Sequence, residues 1–405
     1  MKKRLYYQNI WKDFKIRKHL IFIVGPRQTG KTTLANLIAE NESSCLYYNY
    51  DIPEDKVKII KDPYFFEEVN RKKGQLPLII FDEIHKYKEW KNYIKGIYDG
   101  FHTLYHFLIT GSGRLDLYLR GSDSLAGRYW QFHLFPFTLG EIVAQKLEPL
   151  NNSKSLTELT EEKKEYRDIW NNLFELSGFP EPFLSGKKII YNRWINNYHR
   201  QLIYEDIRNS MAIKQISLLE TLFFLLVNQV GKGFSANSMA NSLKVSHNTI
   251  TSWINIFERF FLIFKIKPYS KKIPRSIELE PKVYLYNYAF IKEAGPRFEN
   301  MVALELKRAV TLWKDYGYGD YDLCYIRNRE KQEIDFVITL DNQPYCLIET
   351  KLNETNISSH IYNFQSILNI PFIQLVNKSG INQIRKNGKN LIYITSAWNW
   401  LERLH

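Results

Sequence analysis

The sequence predicts a multidomain α/β protein: a parallel sheet with flanking helices first, a helical middle segment, then a second α/β layer. Three observations predict it. The chain has 405 residues, more than one hydrophobic core accommodates, so two or three domains are expected. From residue 19 to about 150, short continuous apolar runs alternate with polar helical stretches, as in strands buried on both faces of a parallel sheet. Beyond residue 290 a mixed strand and helix pattern returns after a long helical interval.

In order, residues 1–18 read as an amphipathic lead-in helix, and residues 19–24 as a buried strand running into a glycine loop. The runs 45–50, 78–81 and 106–110 are further strands ending in polar residues, which places function at their C-terminal ends. Residues 148–165 are polar and charged and read as a solvated loop or linker, and 166–232 are mostly helical. The expected divisions are 1–150, 151–232, 233–290 and 291–405.

Hydrophobic residues make up 44 % and charged residues 24 %, ordinary values for a globular protein. The formal net charge is +13, an excess that favours a polyanionic partner, although abundant Lys, Asn, Ile and Tyr also suit an AT-rich genome. Cys45, Cys324 and Cys346 have no metal-ligand or disulfide-framework spacing, and a reducing cytoplasm fits them. No stretch reaches the roughly 18 apolar residues of a membrane span, so no membrane partner is expected. Trp11-Lys12-Asp13 interrupts any signal-peptide core in the basic N-terminus.

Gly25-Pro26-Arg27-Gln28-Thr29-Gly30-Lys31-Thr32 fits G-x-x-x-x-G-K-[ST], between an apolar strand and a helix that begins around Thr33. The glycines let backbone N–H groups curl around a phosphate, and the helix N-terminus adds partial positive charge. Lys31 would bridge the outer phosphates of ATP and Thr32 would bind Mg²⁺. At the end of the run 78–81, Asp82 would hold Mg²⁺, directly or through water, and Glu83 would polarise the attacking water. Thr110 or Ser112, ending the next strand, could sense the γ-phosphate. Arg114 could neutralise charge in phosphoryl transfer, in cis or across a subunit boundary, and Arg128 competes for that role. A trans-acting arginine requires a neighbour, so a homo-oligomer, such as a ring, is expected.

Residues 235–243 read as a short helix, Lys244-Val245 as a turn, and Ser246 as the cap of a second helix with Ile250, Ile254 and Phe257 on its apolar face. That helix would present His247, Asn248, Thr249, Thr251 and Ser252 to DNA bases or phosphates. Strands at 260–267 and 282–287 would complete a winged helix whose hairpin carries Lys265, Lys267, Lys271, Lys272, Arg275 and Lys282.

Near the C-terminus, strands at 333–338 and 345–351 form a hairpin in which Asp335, Glu349 and Lys351 can converge on one face. Two carboxylates bind Mg²⁺ or Mn²⁺, and a lysine steadies the attacking hydroxide or the phosphate. Glu299 could add a third carboxylate, with Glu305 the alternative, and Gln365 could orient the water.

The order of these parts resembles a prokaryotic ATPase family, related to signal-transduction (STAND) ATPases. In that family an AAA-type P-loop NTPase domain precedes a winged helix and a C-terminal domain similar to PD-(D/E)XK nucleases. The matching residues are 25–33, 78–85, 109–112, 125–128, Pro136-Phe137 with Glu141, Gly178-Phe179-Pro180-Glu181, and 333–351. Two positions depart: Asn287 stands where the family usually has Asp, and Ser177 replaces a glycine before Gly178. The resemblance implies an ATPase that binds or remodels DNA, coupled to a nuclease-like domain. The alternatives are an ATP-operated switch and a DNA-binding regulator whose C-terminal domain does not cleave.

Overall fold

The computed structural model describes residues 4–69, 75–113, 115, 125–143, 161–208, 213, 215–269 and 280–404. It divides into two compact units, Met1–Phe135 and Pro136–His405. Residues 136–143 belong to the second of these units: Leu139 N–H donates to Glu305 Oε1 at 2.6 Å.

The first unit is built on a five-stranded parallel sheet. Its strands are β1 (Leu20–Val24), β2 (Cys45–Asn49), β3 (Leu78–Asp82), β4 (His106–Gly111) and β5 (Tyr129–His133), in the order β2-β3-β4-β1-β5. β1 and β3 are buried along their whole length, as their continuous apolar runs require. Apart from β5, the expected strands are present within a residue or two of their ends. β5 mixes aromatic and polar residues and is partly exposed, so it lacks the apolar run that marked the others. The lead-in helix is Leu5–Lys15, which buries Tyr6, Tyr7, Ile10 and Trp11.

The second unit begins with helices that include Lys164–Leu176, Lys188–Arg200 and Ile216–Val227. Phe137 N–H donates to Gly178 O at 2.6 Å, and a Cβ on Gly178 would lie 2.0 Å from Phe137 O. The Pro136-Phe137 and Gly178 motifs are therefore two sides of one backbone contact. Ser177 has φ 69°, a left-handed conformation that favours glycine, so the serine here carries backbone strain.

Helices Ala236–Leu243 and His247–Arg259 are capped by Ser235 and Ser246, whose side chains accept from the Ser238 and Thr249 N–H groups. Lys244 turns the chain between them in the left-handed region. The second helix buries Ile250, Trp253, Ile254, Ile256 and Phe257, the apolar face read from the sequence with two additions.

Strands β6 (Ile263–Pro268) and β7 (Lys282–Leu285) form the expected antiparallel hairpin. They do not stand apart as a wing. β6 pairs in parallel with β8 (Tyr321–Arg327) through Lys267 and Pro268, so the hairpin continues an eight-stranded sheet. The remaining strands are β9 (Glu333–Leu340), β10 (Gln343–Lys351), β11 (Phe372–Val376), β12 (Asn382–Asn387) and β13 (Asn390–Ser396). The sheet order is β12-β13-β11-β10-β9-β8-β6-β7, and the helix Ala294–Tyr316 lies in the same unit. Among the described residues, no helix is long and apolar enough to cross a membrane.

Candidate functional site

The parallel register brings three strand ends of the first unit to one level. Asp82 pairs with Thr110, and Val24 pairs with Gly111. The glycine loop leaves β1 at this edge and enters the helix Lys31–Ala39, with Gly30 at φ 90° and Gln28 at φ 61°. A Cβ on Gly25 would lie 2.2 Å from Leu134 O, so only glycine allows the loop to start this close to the segment after β5. Thr29 Oγ1 donates to Pro26 O at 2.8 Å across the loop. Lys31 Nζ donates to Pro26 O at 2.7 Å and Gly25 O at 3.1 Å, which holds the ammonium in the loop.

Asp82 is the hub of the site and is 1 % exposed. Thr32 Oγ1 donates to its Oδ2 at 2.6 Å, Tyr47 OH to the same oxygen at 2.7 Å, and Thr110 Oγ1 to Oδ1 at 2.5 Å. Thr110, expected as a phosphate sensor, turns its hydroxyl to Asp82 and so orients the acid. A hydroxyl and a carboxylate side by side are the hard oxygen donors Mg²⁺ takes, so Thr32 and Asp82 fit the ion the loop implies.

Glu83 follows at φ 57°, with its N–H donating to Thr110 O at 3.0 Å. Its Oε2 lies 3.3 Å from Lys86 Nζ and 3.5 Å from His85 Nε2. Burial raises the Glu83 carboxyl above its ordinary value, with the charge of Lys31 the first influence pulling it down. Lys31 and Glu83 therefore act on one another at this edge. A raised carboxylate is the better proton acceptor.

The two arginines fare differently. Arg114 lies outside the described residues. Arg128 precedes β5, and its carbonyl accepts from Leu20 N–H at the start of β1, the sheet edge opposite the glycine loop. Its side chain pairs with Asp99 at 2.8 Å. A role on the nucleotide of its own chain is thereby excluded by position.

On the helix His247–Arg259, His247, Asn248, Thr251 and Ser252 are exposed. The hydroxyl of Thr251 donates back to His247 O at 3.1 Å, and that of Thr249 shares a hydrogen bond with Ser246 Oγ at 2.9 Å. Lys271, Lys272 and Arg275 lie outside the described residues. Two of the basic hairpin positions are already paired: the half-buried Lys265 with Glu258 at 2.6 Å, and Lys282, 2 % exposed, with Glu333 at 2.6 Å.

In the C-terminal sheet, Phe336 pairs with Ile348, so the next rung sets Asp335 opposite Glu349. Asp335, Glu349 and Lys351 come together as expected, and the long helix adds Glu299. Glu305 does not join them: it accepts from Leu139 N–H elsewhere in the unit. Gln365 is fully buried, donating to Leu391 O at 2.8 Å and accepting from Asn387 Nδ2 at 3.0 Å, which leaves it no water to orient.

The expected metal ligands Glu299, Asp335 and Glu349 are gathered differently from the way a cation requires. Thr350 N–H and Oγ1 both donate to Asp335 Oδ2, at 2.9 and 2.7 Å. Lys351 Nζ donates to Glu349 Oε1 at 2.9 Å, and Asp335 N–H to Glu349 Oε2 at 3.3 Å. Tyr284 OH donates to Glu299 Oε1 at 2.8 Å. Burial, then Asp335, pushes Glu299 up to about 7 and raises Glu349 well above the ordinary carboxylate range. Among the described residues, no group of three or more His, Cys, Asp or Glu is placed to hold a metal ion. The donor set does not fit a divalent ion as it stands, because the buried Lys282 ammonium already stands among the carboxylates, 3.4 Å from Glu299 Oε1 and 3.9 Å from Asp335 Oδ1.

Sequence reasoning missed Tyr47, Tyr284, Glu333, Thr350 and the role of Lys282. A basic residue directly before the apolar run Val283-Tyr284-Leu285 was the one signal for the last.

Family models match three successive stretches of the chain. Residues 17–143 match the AAA domain family. Residues 167–294 and 294–397 match two families described as domains of unknown function (DUF8612 and DUF4143). An uncharacterised protein of Methanocaldococcus jannaschii is 26 % identical over 342 residues, covering 80 % of this chain and 74 % of its own. One from Haemophilus influenzae is 22 % identical over 352 residues, covering 80 % of each. A solved Walker-type ATPase of Pyrococcus abyssi covers 75 % of this chain and 96 % of its own, with 13 % identity and a TM-score of 0.46. The family match, the parallel sheet and the complete loop motif make the first unit an AAA-type P-loop ATPase domain, a fold that binds nucleotide, typically with Mg²⁺.

Proposed function

We propose that this chain binds and hydrolyses ATP to control its contact with DNA, and that its C-terminal domain binds without cutting. The observation that carries the first half is Asp82, fixed by three hydroxyls beside the glycine loop with Glu83 next in sequence. The N–H groups of residues 27–33 would cradle the phosphates. Lys31 would exchange the loop carbonyls for phosphate oxygens, while Thr32 and Asp82 would hold Mg²⁺. Glu83 would take the proton of the attacking water. Mg²⁺, when bound, neutralises charge on the phosphates. Arg128 would serve a neighbouring subunit's nucleotide, which makes a homo-oligomer part of the reading.

DNA contact is assigned to the exposed N-terminal turns of the helix His247–Arg259, with His247 and Asn248 foremost, and the +13 charge supports it. Fluorescence anisotropy of labelled duplex DNA tests this. The expected log–log slope is about −0.9 per phosphate contacted, and His247→Ala with Asn248→Ala should weaken binding. Absence of binding at low salt, or binding indifferent to both substitutions, refutes the assignment.

A second reading, metal-dependent cleavage, draws on the convergence of Asp335, Glu349 and Lys351. Cutting of DNA with Mn²⁺ that vanishes in Glu349→Ala while ATP turnover survives would establish it in place of the first.

A further inference from the structure

Lys282 is one of the few lysines in the described residues with almost no exposure. Its side chain is 3 % accessible, and it begins a strand buried along its length. Burying an ammonium costs several kcal/mol unless it is closely paired. The partners are present. Nζ lies 2.6 Å from Glu333 Oε1, 3.4 Å from Glu299 Oε1 and 3.9 Å from Asp335 Oδ1. It also stands 5.4 Å from the centre of the Tyr325 ring, whose face adds to the attraction. Glu333 and Asp335 are alternate residues of β9 and so share a face, while Glu299 comes from the long helix.

The backbone holds this lysine in place. Lys282 pairs with Ile266 on one side and forms a bridge to Gly233 on the other, and Gly231 N–H reaches Val283 O. Gly231 also closes the far side of Glu299: a Cβ there would lie 2.6 and 2.8 Å from its two oxygens. Burial opposes the charge on Lys282, but Glu299, Asp335 and Glu333 outweigh it and hold the ammonium above its ordinary range.

Two of these carboxylates, Glu299 and Asp335, are the ones expected to hold a divalent cation. Such an ion needs about six oxygens at roughly 2.0–2.6 Å, and a buried ammonium among them repels it. We propose that the Lys282 ammonium is the resident cation of this cluster: it takes the place a divalent ion would occupy and keeps the cluster closed to metal. This carries the non-cleaving reading one step further and rests on it for its meaning, but its test involves neither ATP nor DNA.

The test is Mn²⁺ titration of the full chain without nucleotide, followed by electron paramagnetic resonance of the free ion. Four proteins are compared: wild type, Asp335→Asn, Lys282→Met, and the Lys282→Met/Asp335→Asn pair. Ions common to all four belong elsewhere on the chain. Wild type and Asp335→Asn should bind alike. Lys282→Met should gain one ion per chain, and the double variant should lose it. An ion on wild type that Asp335→Asn removes would overturn the proposal, as would a folded Lys282→Met that gains none. Should Lys282→Met fail to fold by circular dichroism, wild type against Asp335→Asn still decides. A failure here leaves ATP turnover and DNA affinity untouched, so it is distinguishable from a failure of the functional reading.

Discussion

Valine has nearly the shape of threonine, so Thr110→Val removes one hydroxyl from the nucleotide site and leaves its packing in place. That hydroxyl donates to Asp82 Oδ1 at 2.5 Å, and the two residues are 0 % and 1 % exposed. Thr32 and Tyr47 do not compensate, because both donate to Oδ2. The substitution therefore leaves a buried carboxylate oxygen facing a methyl group. Hydrogen bonds to charged groups contribute roughly 1.5–3 kcal/mol, and a stranded buried acceptor sits in the middle of that range, about 2 kcal/mol. For a unit of this size the loss corresponds to a fall in Tm of roughly 5–10 °C. Differential scanning fluorimetry of the nucleotide-free full chain measures it, with Thr110→Ser as the control that keeps the hydroxyl. ATP turnover should fall in parallel, since Asp82 loses one of the donors that orient it. A Thr110→Val protein that melts within about 1 °C of wild type and turns over ATP at the same rate refutes the assignment of Asp82 as a hub fixed by three hydroxyls.

Two other perturbations follow from the same geometry. Gly25→Ala places a methyl 2.2 Å from Leu134 O, so the loop and the segment after β5 must separate; loss of nucleotide binding in a fluorescent-ATP titration is expected, and unchanged affinity contradicts it. Glu299 faces Lys282, Tyr284, Asp335 and, across Lys282, Glu333, and its carboxyl is raised by burial to about 7. An acid raised on folding contributes stability that is present below its ordinary value and lost as pH climbs through about 7, at up to ~1.4 kcal/mol per pH unit. The urea midpoint of wild type should fall between about pH 5.5 and pH 8, and Glu299→Gln should flatten that fall; a slope unchanged by the substitution places the titration elsewhere.

Most of the first unit was legible because its physics is local. A strand buried on both faces must be apolar throughout, and a loop that wraps phosphate needs glycine at fixed offsets. β1, β3, β4 and the residues 25–33 therefore announce themselves. β5 did not, since an edge strand such as Tyr129-Trp130-Gln131-Phe132-His133 needs no continuous apolar run. The hairpin of β9 and β10 was legible from alternation and from the turn at Asp341-Asn342-Gln343-Pro344, which let Asp335, Glu349 and Lys351 share one face. What surrounds that hairpin was not. Lys282 lies far from it in sequence and reads as one more surface cation, and only the joining of β6 and β7 to the C-terminal sheet carries it to the carboxylates. Gln365 failed for the same reason: its partners, Leu391 O and Asn387, come from strands whose pairing the local pattern does not specify. Tyr47 looked like core, and its hydroxyl found Asp82 through the parallel register of β2 and β3.

Steady-state release of phosphate from Mg·ATP by wild type and by Lys31→Ala tests the central claim most directly. The ammonium that Lys31 now shares between Gly25 O and Pro26 O sits inside the loop that would wrap a triphosphate, so turnover should be present in wild type and absent from the folded variant. Equal turnover in the two proteins would mean that hydrolysis does not occur at this loop, and the nucleotide site described above would be wrong.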